Sequence, residues 1–185
     1  IIPLGTGNDF CRTLGYPKAE AFSQLLATGE FKRTDVGLVT SLNTDNQEIA
    51  KRYFINIAGF SFDAAVINET TNGKPKLFPS AVYLMKLVKV LFTHKATRVT
   101  VKSGNEEITD DIFTIAVGNA QFNGNGMRQV PMADPHDGMF DVVSIRKIRP
   151  MKVVKNVKKL FSGKHVTLPE VRVTHAKQVD IQASK

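Results

Sequence analysis

The first residues with a chemical use are Gly5-Thr6-Gly7, set between the apolar Ile1 to Leu4 and the polar pair Asn8-Asp9. A glycine-flanked turn lets backbone approach a phosphate without side-chain interference, and a helix start just after it adds free N–H donors and positive potential. Thr6 adds a hydroxyl donor, and Asn8 or Asp9 can cap the helix by accepting first-turn N–H groups. The turn is not a Walker A loop, since no Gly-Lys-Ser/Thr follows, nor a full Gly-x-Gly-x-x-Gly fingerprint, since position 10 is Phe. Taken alone, Gly-Thr-Gly is a weak signal, since most such turns are only turns.

The second stretch is Asp134-Pro135-His136-Asp137-Gly138-Met139. Two carboxylates three residues apart, among Pro and Gly turn formers, can converge on a hard cation with help from a backbone carbonyl. Mg²⁺ favours such a set of few carboxylates plus water. An Asp- and Gly-rich β-turn accounts for the same residues. His136 does not suit a hard oxygen site and is not counted as a ligand. Asn119, Asn123, Gly124, Asn125 and Gly126 form a polar loop that reads either as the lip of a cleft or as a surface hairpin. Asp63 reads as a structural carboxylate before a site residue. His94, His165 and His175 stand apart and read as surface or capping residues, and Cys11 as a small core residue.

These residues need elements to hold them. Ile1 to Leu4 reads as the tail of a buried strand, with a helix after the turn that Gly15 stops. Pro17 starts a second helix that Gly29 ends. Short β-branched segments follow at 36–39, 52–58, 99–101, 112–117, 140–145, 171–173 and 179–181, separated by turns. They predict a mostly antiparallel β domain interrupted by two helices, an α+β arrangement. Pro79 to His94 is apolar nearly all round and is expected in the core. Met151 to Phe161 is sharply amphipathic, with Val153, Val154, Val157, Leu160 and Phe161 opposite four lysines. Such a helix either lies on an anionic bilayer or packs its apolar face on the sheet, and the second arrangement is the commoner.

Composition bounds the rest. The chain has 185 residues, 42% of them hydrophobic and 23% charged, which excludes a disordered tail or a fibrous repeat. A single Cys excludes a disulfide framework and a multi-Cys zinc site, and agrees with a reducing cytosolic compartment. A net charge of +8 points to an anionic partner. The apolar run from Ala81 to Phe92 is broken by Lys86 and Lys89 and is too short to span a bilayer. The chain has neither a starting Met nor a signal peptide, and reads as beginning inside a larger protein.

The octet Pro3-Leu4-Gly5-Thr6-Gly7-Asn8-Asp9-Phe10, followed by Arg12, Leu14 and Gly15, resembles the diacylglycerol kinase catalytic-domain family, in its bacterial soluble lipid-kinase branch. That branch is related to sphingosine kinases and NAD kinases. Asn56 to Asp63 and Asn119 to Asp141 resemble two further family segments, in the right order. The resemblance implies a β-sandwich domain with inserted helices, residues 34–185, preceded by the end of an α/β nucleotide-binding domain, residues 1–33. It implies ATP and Mg²⁺ as cofactors, with transfer of the γ-phosphoryl group to a lipid hydroxyl, diacylglycerol giving phosphatidic acid. Gly5, Thr6, Gly7, Asn8 and Asp9 would bind nucleotide, with Asp9 capping the helix and orienting the turn. Asp134, Asp137 and the Met139 carbonyl would hold the metal. The general base of the family falls beyond Lys185, so these residues alone are expected to be inactive. The implied setting is cytoplasmic, peripheral to the anionic inner face of a membrane, with the lipid acceptor entering beside the 79–94 helix. A homodimer is compatible with it.

Two other functions fit parts of the sequence. An NAD kinase would need no lipid pocket, but Asn8-Asp9-Phe10 and the Asp-Gly-Met-Phe-Asp stretch favour the lipid branch. A nucleic-acid module fits the pI near 9.6, but the lysines cluster on one helix without interleaved aromatics, and Trp is absent.

Overall fold

The structure is a computed structural model that describes residues 1–5, 7–16, 18–29, 32–71 and 79–184. Thr6 and Pro17, both singled out by sequence, lie outside the described residues. The chain opens with a five-residue helix α1 (Asp9–Thr13) and then α2 (Ala19–Thr28). A hairpin follows, β1 (Gly37–Leu42) and β2 (Glu48–Phe54), paired antiparallel as a two-stranded sheet. Next come β3 (Ile57–Ser61), α3 (Phe62–Thr71), α4 (Pro79–Thr93), β4 (Thr97–Ser103) and β5 (Glu106–Gly118). The chain continues through β6 (Phe140–Arg146), α5 (Pro150–Ser162), a 3-10 turn (Lys164–Thr167), β7 (Val171–Ala176) and β8 (Val179–Ala183).

Six strands form the main sheet, in the order β7-β6-β5-β4-β8, with β3 also paired to β5; every pair is antiparallel. The long β5 is the axis. Its N-terminal half pairs with β4, its C-terminal half with β3, and its other edge with β6. Residues 112–118 of β5 are all buried, because both faces of the sheet are covered there. Alternation still sorts the side chains. Ile115, Val117 and Val142 join Val99, Val101 and Ile112 in one cluster, with Phe54, Phe60 and Phe140 packed against it. Ala116 and Val143 point the other way, onto Val130 and Ala133, with Ile57 and Val166 beside them. The loop after β5 is therefore a lid on the second core cluster.

Four features differ from the sequence reading. Ile1 to Leu4 forms no strand among the described residues, and Ile1 and Ile2 are exposed. The expected strand 52–58 is two strands, broken at Ile55-Asn56, where the chain leaves the hairpin for the main sheet. The helix α3 was unexpected, because Val66, Ile67 and its Asn and Thr residues are poor helix formers. Finally, α4 is only partly core: Val90 and Leu91 are buried, whereas Met85, Val88 and Phe92 are exposed.

Candidate functional site

The opening turn is built by Asn8. It sits before α1 with a left-handed backbone (φ 49°), and its side chain does not cap the helix. Its Oδ1 instead accepts from the Gly5 N–H at 2.9 Å, and its Nδ2 donates to the Pro3 carbonyl at 3.3 Å. Arg12 closes the other side, donating from Nε to the Gly7 carbonyl at 3.2 Å. The turn is thus held by side chains, and one of the amides expected to face a phosphate, that of Gly5, already donates to Asn8. With five residues, α1 also adds little dipole to the turn.

Asp9 departs most from expectation. It does not cap α1. Its carboxylate accepts from the backbone N–H groups of Asn125 at 2.8 Å and Gly126 at 2.7 Å, more than 100 residues away. Arg12 lies 3.6 Å from the same carboxylate. Those amides are available because 123–127 is a tight hairpin. Asn123 and Met127 exchange backbone hydrogen bonds at 2.9 and 3.0 Å, while Gly124 and Asn125 both adopt positive φ, 61° and 68°. The loop is therefore a hairpin whose backbone amides receive the Asp9 carboxylate. Thr13 reinforces the joint by accepting from the Gln121 N–H at 3.1 Å.

Behind the hairpin a polar network runs into the domain. Asn123 donates to Gln129 at 3.0 Å, and Gln129 donates to Asp63 at 2.6 Å. Asp63 stands in the first turn of α3, just after Ser61 turns the chain through a positive φ of 64°. A Cβ on Gly59 would lie 2.6 Å from the Asp63 Cβ, so the carboxyl rests on bare backbone. Desolvation pushes the Asp63 carboxyl up to about 6, against the pull of its hydrogen bonds from Gln129 and Thr114. Asn119, expected in the lip of a cleft or in a surface hairpin, is buried and acts as a strut. It donates from Nδ2 to the carbonyls of Asp35 and Ile55 at 3.0 and 2.9 Å.

The readings of His94 and His165 also change, while His175 is at the surface as expected. His165 is buried, hydrogen bonded to the Gln129 carbonyl at 3.1 Å, and burial lowers its pKa. His94 is half-buried in a cluster with Phe62 and Phe113, ring centroids 4.6 to 5.6 Å apart, and its Nε2 is 3.1 Å from the Ser61 Oγ. His175 is partly exposed and bonds the buried Asp141 at 3.3 Å. Burial raises the Asp141 pKa, and His175 opposes the rise. Cys11 is buried as expected, and desolvation raises its thiol pKa.

The 134–139 turn is a separate polar region. Asp134 accepts from the His136 N–H at 3.0 Å, and Asp137 from the Met139 N–H at 2.9 Å. Each carboxylate thus uses one oxygen to shape its own turn. His136 points away from them, its Nδ1 2.6 Å from the Arg33 carbonyl. Asp35 accepts from the Gly138 N–H at 2.7 Å and donates its own N–H to the Pro135 carbonyl. Among the described residues no three His, Cys, Asp or Glu side chains gather as a metal cage. The donor set fits a hard cation completed by a backbone carbonyl and water, not a softer metal. Sequence reasoning missed Asp35, Gln121 and Gln129. Their partners are distant in the chain, 103 residues for Asp35 and 66 for Gln129, and no local spacing marks them.

The fold is thus a mostly antiparallel β domain whose loop 123–127 receives the Asp9 carboxylate beside the opening glycine turn. Residues 57–185 match the YegS C-terminal NAD kinase beta sandwich-like domain, and the chain belongs to that family. Residues 1–39 match the diacylglycerol kinase catalytic domain. The diacylglycerol kinase of Mycobacterium tuberculosis (strain CDC 1551 / Oshkosh) is 29% identical over 184 residues, 98% of this chain and 58% of that protein. The diacylglycerol kinase of Bacillus subtilis (strain 168) is 23% identical over 187 residues, 100% of this chain and 58% of its own. A crystal structure of a diacylglycerol kinase from Bacillus anthracis str. Sterne superposes with a TM-score of 0.60 at 19% identity, covering all of this chain and 53% of that one. This last likeness concerns the fold. The chain thus spans a little over half the length of the curated relatives it matches. No described helix is long and apolar enough to cross a membrane.

Proposed function

We propose that the polypeptide carrying these residues is an ATP-dependent lipid kinase that transfers the γ-phosphoryl group to a lipid hydroxyl, diacylglycerol being the acceptor. In this reading residues 1–33 finish a nucleotide-binding α/β domain and residues 34–185 form the second domain. The observation that carries it is the Asp9 clip, which sets the glycine turn against the hairpin 123–127. Phosphoryl transfer depends on positioning and charge neutralisation, and a rigid joint between two walls of a cleft supplies the first.

Each residue then has a role. Gly5, Thr6, Gly7 and Asn8 line the nucleotide edge, and Asp9 fixes that edge relative to the sandwich. Asp134, Asp137 and the Met139 carbonyl would hold Mg²⁺, which supplies positive charge beside the linker at Asp35. The relatives' names support a lipid acceptor. The test, run on the longer polypeptide that carries these residues, is transfer of labelled phosphate from ATP to diacylglycerol in mixed micelles, beside NAD as acceptor. Labelling of diacylglycerol is expected, with loss of at least about tenfold in Asp9→Ala. Labelling of NAD alone would replace this reading with the soluble-dinucleotide one.

A further inference from the structure

We propose that α5 is a membrane-docking element that seats on an anionic lipid surface. Its use in catalysis rests on the lipid-kinase reading above; its binding does not. The first observation is where the charge lies. Between Asp141 and Glu170 the sequence has eight Lys or Arg and no Asp or Glu. The rest of the chain has 17 of each sign, so the whole net charge of +8 resides in this one segment.

The second observation is what the helix does with its apolar residues. Sequence reasoning favoured an apolar face packed on the sheet, yet no residue of α5 is buried. Val153 and Leu160 are half-buried toward the domain, while Met151, Val154, Val157 and Phe161 are between 43% and 55% exposed. Their three- and four-residue spacing makes one outward stripe. Lys155, Lys158 and Lys159 flank it, all exposed. Among the described residues no carboxylate pairs with these three, whereas Lys152 on the inner flank pairs with Glu170. An apolar stripe bordered by unpaired cations matches a bilayer, where acyl chains receive the stripe and anionic headgroups the lysines. A water-facing helix would need only the lysines.

The third observation ties α5 to the site. Its last turn is fastened to the loop that receives Asp9 and Asp63. The Arg128 N–H donates to the Leu160 carbonyl at 3.0 Å, and a Cβ on Gly163 would lie 2.9 Å from Pro131. Seating α5 on a membrane therefore brings the loop that receives Asp9 and Asp63 to the lipid surface.

The experiment uses vesicles without diacylglycerol or ATP. The chain contains no Trp, so Phe161→Trp is a single reporter. It is expected to bind phosphatidylcholine–phosphatidylglycerol vesicles with a blue-shifted emission, and not to bind phosphatidylcholine alone. Lys155→Glu with Lys158→Glu is expected to weaken binding more than about tenfold, and Val154→Ser with Phe161→Ser comparably. Lys51→Glu with Arg52→Glu on β2 should bind as the unaltered chain does. The proposal is overturned by any of three results: no binding to anionic vesicles; binding that ignores the α5 lysines; or lysine-dependent binding with unshifted emission, which marks plain polyanion binding such as to nucleic acid. Self-association abolished by Phe161→Ser, without vesicle binding, would assign the face to a second copy. In the longer polypeptide that carries these residues, vesicle binding without lipid phosphorylation would sink the kinase reading and leave docking intact, and the converse holds.

Discussion

The Asp9 side and the α5 side of this domain treat charge in opposite ways. On the Asp9 side, Asp9, Asp35 and Asp63 each reach across the chain to a donor in residues 125–138. On the α5 side Lys155, Lys158 and Lys159 project into solvent beside an exposed apolar stripe. A carboxylate engaged by backbone amides joins two elements, because the alternative is amides that lose their acceptor. A solvated lysine joins nothing within the chain, and its energy is available to a partner. The contrast separates residues that join distant parts of the chain from residues left free for a partner.

Four measurements break or sharpen that contrast. The largest effect is expected at Asp63. Its carboxyl sits at about 6 in the folded chain against an ordinary 3.8. The native state therefore holds this proton more tightly than the unfolded chain, and stability from this group falls as pH rises from about 4 to about 6. Above that window the charged form costs up to about 3 kcal/mol. Asp63→Asn should be the more stable protein in urea melts at neutral pH and should lack the decline. Identical pH profiles for both proteins would show that Asp63 is not a desolvated carboxyl.

Asp9→Ala should cost about 2 kcal/mol and expose the Asn125 and Gly126 amides to hydrogen exchange, because two charge-assisted bonds are lost. Protection equal to that of the unaltered chain would remove the clip from the argument. Asp134→Asn with Asp137→Asn should cost less, about 1 kcal/mol or below in metal-free buffer, since each bond is local to an exposed turn. The same pair should abolish any rise in Tm on adding Mg²⁺; a rise that survives places the cation elsewhere. Reversing Lys155 and Lys158 to Glu should change stability by no more than about 0.5 kcal/mol. A loss as large as that of Asp9→Ala would mean the two sides are not different in kind.

Much of the fold was legible because strand segments declare themselves locally. Phe140 to Ile145 and Ile112 to Val117 lie within β6 and β5 as read, with ends extended by pairing. The turn at 124–125 was legible for the same reason, as Asn-Gly chemistry is local. The side-chain partnerships were not. Asp9 stands where a helix cap belongs, and no local pattern says that its acceptor oxygens face a loop 116 residues on. His165 looked isolated because its partner, the Gln129 carbonyl, carries no sequence signature.

The sequence by itself determined many of the parts: a glycine turn, β-branched segments alternating across two faces, and a lysine-rich amphipathic helix. Those follow from backbone sterics and from periods of 2 and 3.6 residues, which act over a few positions. Only the tertiary structure decided which carboxylate meets which amide and which apolar face stays uncovered. Both depend on chain crossings that bring residues 60 to 120 positions apart within hydrogen-bond reach, or leave a helix with nothing opposite.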